Sequence, residues 1–201
     1  MAFLDPNTPL ATCTSEHCDN CTAGKHVHCH FRPKELFHFY MIALPAFLVG
    51  GAAVLHIGGW WLGLWLALIV GYFNFLEIRV MCSHCPHYAE EGNTLKCWAN
   101  NGSPKLWKYR PGPMSLVEKI LFLGGFVVIW GYPLPFLVLG TQWFQFFLYA
   151  LLVTGFFMTL KEFLCSQCIN FACPLNGVDK ATRLEFFKKN PVVAEAWGVD
   201  V

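Results

Sequence analysis

A chain of 201 residues in which 55% are hydrophobic, 16% aromatic and only 13% charged departs from soluble domains, where about a quarter of residues are charged. With a mean hydropathy of +0.43 it reads as a membrane protein. The net charge of +1 supplies neither a basic nor an acidic field, and nothing in it suggests nucleic acid as a partner.

Residues 1–35 are polar and rich in Cys and His, without the apolar core of a signal peptide, so no cleavable leader is expected. Cys13, Cys18, Cys21 and Cys29 follow the spacing C-x4-C-x2-C-x7-C, interleaved with His17, His26, His28 and His30. A segment this small cannot bury a core of its own, and a metal centre is the natural way to order it. At Phe31-Arg32-Pro33 the chain is expected to turn into the membrane.

Residues 36–78 read as a first transmembrane hairpin. The run from Leu36 to Leu76 is 41 residues without a formal charge, about two bilayer crossings at roughly 20 residues each. Pro45 is a predicted kink, Gly58-Gly59 the outer turn, and Trp60, Trp61 and Trp65 a headgroup belt. Residues 79–114 form a Cys-rich loop with Cys82, Cys85 and Cys97, in which His84 and His87 flank Cys85.

Residues 115–164 repeat the plan. Ser115 and Glu118 have the capping-box spacing that starts a helix, and a second charge-free run of 41 residues extends from Ile120 to Leu160. The third helix is predicted to end near Pro133 and Pro135 and the fourth to start at Thr141. Trp130, Tyr132 and Trp143 are assigned to a second belt. Residues 165–201 carry Cys165, Cys168 and Cys173, then a mixed segment with Phe186, Phe187 and Trp197 that reads as an interfacial helix or docking segment.

The charges orient this chain. All 14 Lys and Arg lie outside the two charge-free runs, on the side of the N-terminal, central and C-terminal segments, and none at the two hairpin tips, which puts both termini in the cytoplasm by the positive-inside tendency. All ten cysteines then face the reducing side, where metal binding or redox chemistry outranks structural disulfides. The succession aromatic-Arg-Pro, hairpin, Glu, Cys-x-x-Cys, further Cys occurs twice, from Phe31 to Cys97 and from Tyr109 to Cys173. The expected fold is an all-α membrane protein, four transmembrane helices as two tandem hairpins related by a pseudo-two-fold axis.

Three chemistries suit the cysteines. Iron-sulfur ligation, most simply 4Fe–4S, is suggested by C-x2-C-x4-C-P at Cys165, Cys168 and Cys173, by Cys82, Cys85 and Cys97, and by the N-terminal C-x4-C-x2-C. Zinc is suggested by the histidines, with His84 or His87 completing a three-Cys site, and soft-metal or thiol carriage remains a third option. Haem is disfavoured, because His38 and His56, the histidines in the spans, are 18 residues or about 27 Å apart on one helix. Glu77 and Glu162 precede the paired cysteines and are candidate proton relays to a quinone, or else water-exposed carboxylates paired with Arg79 or Lys161.

With Cys-Pro at Cys85-Pro86 and Cys173-Pro174 at the feet of four apolar helices, the chain resembles the membrane iron-sulfur quinol dehydrogenases of periplasmic nitrate and nitrous-oxide reductase systems. It differs from them in Cys spacing and in lacking an eight-cysteine ferredoxin domain. The resemblance implies a cytoplasmic-membrane electron-transfer subunit that exchanges electrons between redox protein subunits and membrane quinone. The competing expectation is a zinc-stabilised scaffold or assembly factor, or a soft-metal carrier.

Overall fold

The computed structural model describes residues 8–18, 21–30 and 33–200, so the turn expected at Phe31-Arg32 lies outside the described residues. Four helices are long and apolar enough to cross a membrane: Pro33–Ile57, Gly59–His84, Leu116–Leu139 and Trp143–Gln167. Among the described residues there is no strand, only an isolated bridge between Thr94 and Pro104.

The first span is α1 (Pro33–Ile57), which continues through Pro45. Its buried residues are small or β-branched, Ala43, Ala46, Gly50, Ala53 and Val54. Apolar side chains gain nothing by leaving lipid for protein, so helices in a membrane associate through close packing and hydrogen bonds, and small residues permit both. A Cβ on Gly50 would stand 2.9 Å from both Pro133 and Tyr149, so two other spans press directly against the α1 backbone there.

The second span begins with α2 (Gly59–Gly71), loosens into a π turn over Tyr72–Leu76 and closes with α3 (Glu77–Val80). Tyr72 donates to the Phe122 carbonyl at 2.7 Å, and its ring occupies the space a side chain at Gly125 would need, with a Cβ there only 1.8 Å away. Trp60 and Trp61 are exposed as a belt requires, but Trp65 is 1% exposed. Its indole donates to the Ile129 carbonyl at 3.0 Å, so its polar edge finds a partner inside the bundle. Trp130 is likewise buried and stacks on Phe156. Both depart from the belt assignment.

The third span starts as the sequence indicates. Ser115 caps α4 (Leu116–Gly131), its hydroxyl accepting from the Glu118 amide while the Glu118 carboxylate accepts from the Ser115 amide. It does not end at the prolines, since α5 (Pro133–Leu139) carries it on to Leu139. Pro133 and Pro135 stand in the first turn of α5, where backbone N–H groups have no helical acceptor and proline forfeits nothing. The fourth span begins at Trp143 rather than Thr141, which takes a left-handed φ of 53° in the preceding turn. From α6 (Trp143–Thr159) it passes into a π turn over Leu160–Leu164.

The outward faces of the spans carry exposed Leu48, Leu66, Val127, Phe144, Phe147, Leu151 and Met158. Such a surface suits a lipid bilayer. At one end of the bundle the start of the first span, the end of the second, the start of the third and the end of the fourth converge. Phe39 meets Trp98, Arg79 faces Glu118, and Asn170 donates to the Met81 carbonyl.

Beyond the spans, α7 (Lys180–Lys189), capped by Asp179, and α8 (Pro191–Ala196) bury Phe186, Phe187, Val193 and Ala194. The N-terminal segment borrows this core, with Leu10, Ala23 and Val27 buried in the same cluster. The Thr14 amide donates to the Lys189 carbonyl and Thr12 to the Asn190 side chain, each at 2.8 Å. The mixed C-terminal segment therefore docks on the chain's own first residues.

Candidate metal centre

The second and fourth spans end alike. Beyond the π turn, after α3 in the second span and directly in the fourth, come a short 3-10 turn (Cys82–His84 or Cys165–Gln167) and a cysteine in extended conformation, Cys85 at φ −77°, ψ 137° and Cys168 at φ −81°, ψ 130°. In each, the serine after the first cysteine donates to the carbonyl four residues back, Ser83 to Arg79 at 2.7 Å and Ser166 to Glu162 at 2.6 Å. Identical local chemistry has produced identical knuckles.

The two loops then bring six cysteines together. Cys82 lies within electrostatic reach of Cys85, Cys97 and Cys173, Cys85 within reach of Cys97, Cys168 and Cys173, and Cys165 within reach of Cys168 and Cys173. The ten cysteines of the chain are free thiols. Among the described residues no group of three or more His, Cys, Asp or Glu is arranged to hold a single metal ion.

Hydrogen-bond donors point at these sulfurs. Cys85 accepts from the His87 amide, Cys97 from the Ala99 and Asn100 amides, Cys168 from the Asn170 amide and the Trp98 indole, and Cys173 from the Leu175 amide. The Asn100 amide is 3.3 Å from Cys97 Sγ, and its side-chain nitrogen is 3.3 Å from Cys82 Sγ. Burial pushes the Cys97 thiol up to about 12 and Cys168 to about 11, while these donors pull the other way by favouring the thiolate. Cys97 and Cys168, with two such donors each, are the sulfurs best prepared to face a cation as thiolates. The donor set therefore fits a thiolate-ligated metal centre, with sulfur–N–H bonds of the kind that set cluster potentials.

The candidate carboxylates separate. Glu162 is exposed. Glu77 is 4% exposed and accepts from Asn100 at 3.2 Å, with its second oxygen unbonded. The expected water-exposed pair of Glu77 with Arg79 does not form, since Glu77 is buried and Arg79 faces Glu118 instead.

Of the candidate histidines, His84 turns to partners other than the thiols. His84 Nδ1 lies 3.1 Å from the Gly112 carbonyl, and its Nε2 lies 3.5 Å from Glu118, which also takes Arg110 at 2.7 Å. His87 is 1% exposed, lies beside the His28 backbone, and is held neutral by burial, its pKa pulled down to about 3. His38 and His56 are both exposed, near opposite ends of α1.

A second thiol set forms in the N-terminal segment. Cys13, Cys18, Cys21 and Cys29 line an open cavity of about 430 Å³ with His17, His28 and His30. Burial, then the neighbouring Cys21, Cys13 and Cys18, raise the Cys29 thiol to about 12.

The sequence reading missed Trp98, Asn100 and Asn170. The signal available was an amide or indole donor within three residues of a cysteine, in Cys97-Trp-Ala-Asn and Cys168-Ile-Asn. Comparisons of the chain with family models, curated proteins and solved structures found no match.

Proposed function

We propose that this chain is a membrane electron-transfer protein carrying iron-sulfur centres at the cysteine-rich end of its helical bundle. One observation carries the reading: six buried or half-buried cysteines from two loops lie within electrostatic reach of one another, with N–H donors beside their sulfurs. Cys85, Cys97, Cys168 and Cys173, each with an amide donor two residues on, would hold the metal, with Cys82 and Cys165 beside them. A bound cluster supplies one-electron redox chemistry. The chain's own part is to exclude water, fix the sulfurs and set their hydrogen bonds.

The charge distribution supports a cytoplasmic-membrane topology with both termini and both cysteine sets in the cytoplasm. The matched knuckles after the second and fourth spans support tandem hairpins related by a pseudo-two-fold axis. Membrane quinone and a soluble or membrane redox subunit are the partners this reading implies, as in the quinol dehydrogenases that the cysteine motifs resemble. Glu77, buried next to Cys82, is the stronger candidate for proton exchange with a quinone, because Glu162 opens to the exterior of the protein.

Anaerobic purification of the full chain tests this. The expected product is brown, with broad visible absorbance, iron and acid-labile sulfide. A colourless protein with stoichiometric zinc would instead establish the scaffold reading, and metal passage lost in Cys82→Ser without loss of fold would establish the soft-metal carrier.

A further inference from the structure

The two thiol sets are not independent. His28, the neighbour of Cys29, is bonded to the second of the membrane loops and lies beside the first. Its amide donates to the carbonyl of Gln167 at 2.7 Å, and Gln167 is the residue before Cys168. The ring of His87, two residues beyond Cys85, is buried beside the His28 backbone. Cys85 itself belongs to the apolar cluster against which Cys13, Cys21 and Cys29 pack. Along the hydrogen-bonded path, the Cα atoms of Cys29 and Cys168 can be no more than roughly 12 Å apart.

From this we infer that the chain holds two metal centres in series, an outer one on Cys13, Cys18, Cys21 and Cys29 and an inner one on the loop cysteines, bridged by the peptide of His28. The inference rests on the electron-transfer reading and adds its order and its entry point. The outer cysteines are half-buried and line a cavity open to solvent, with Lys25 and Lys189 in its wall, whereas Cys82, Cys85 and Cys165 are buried. A soluble one-electron donor protein reaches the outer centre first. One electron leaves the reduced outer centre, which returns to its oxidised state, and the inner centre is reduced by one. No bond breaks. The hydrogen bond from His28 to Gln167 joins main chain to main chain, so it does not depend on the identity of either side chain.

Electron paramagnetic resonance of the full-length protein in lipid nanodiscs, reduced with dithionite under anaerobic conditions, tests the arrangement. The expected spectrum is split or broadened beyond the sum of two centres, and it collapses to one simple signal in Cys18→Ser/Cys21→Ser, with iron falling only by the outer centre's share. Microwave-power saturation of the unaltered protein gives a reading that does not depend on a variant folding, because each centre should relax faster when its neighbour is also reduced. Additive, non-interacting signals would overturn the series arrangement while leaving electron transfer standing, as would zinc in the outer set alone. A protein without iron in either set would overturn both.

Discussion

The foot of the second span and the foot of the fourth are built from the same parts, yet they bury different things. Each has a π turn, a 3-10 turn and an extended second cysteine, with a serine bonded back to the helix. The difference lies in the loop beyond each second cysteine. Eleven residues separate Cys85 from Cys97, enough for the chain to fold back and set Asn100 over Glu77, whereas four separate Cys168 from Cys173. The shorter loop leaves Glu162 exposed. Motif fixes the knuckle, and loop length decides whether the carboxylate at its base becomes part of the interior.

Variants can break this comparison. The largest effect is expected at the shared pocket, where Cys168→Ser should abolish most of the inner centre's iron, measured by metal analysis, while His84→Ala leaves it in place. Next comes the wall found only under the second span. Gly125→Ala forces the Tyr72 ring aside and should destabilise the bundle by about 1–3 kcal/mol, towards the upper end because helix backbone cannot yield, read as a lower Tm in detergent.

Two matched pairs sharpen it further. Glu77→Gln should shift the inner centre's potential and change stability by about 1–3 kcal/mol, because a buried acceptor beside the thiols is altered. Glu162→Gln should leave the potential unmoved and stability within about 0.5 kcal/mol. Equal responses in a redox titration would mean that the two feet are equivalent after all. The smallest effects belong to the serines. Ser83→Ala should cost about 1 kcal/mol or slightly more, since Ser83 also accepts from Arg110 at 3.0 Å, and Ser166→Ala should cost less. Thermal unfolding of the two variants side by side measures the gap.

The spans were legible in the sequence because charge is so costly in a bilayer that its absence over 41 residues is unambiguous. The Ser115 cap was legible because its chemistry is local. The features that were not legible depended on partners far along the chain. Trp65 looks like a belt residue until the Ile129 carbonyl supplies its hydrogen bond, and Pro133 looks like a stop until Gly50 makes room for it. At the candidate site the cysteine positions were readable, but the convergence of both loops was not. The histidines misdirected for a related reason. Nearness to Cys85 in sequence says nothing about where a ring points, and the turn over Cys82–His84 aims His84 at Gly112 and Glu118.

The strap between Thr12 and Asn190 joins residues 178 positions apart. Because synthesis proceeds from the N-terminus, Cys13 to Cys29 leave the ribosome ahead of the helices that cover them, which follow all four spans. Throughout translation and insertion those thiols stand open to the solution. The packing around this first thiol set is thus completed only once α7 and α8 have been made.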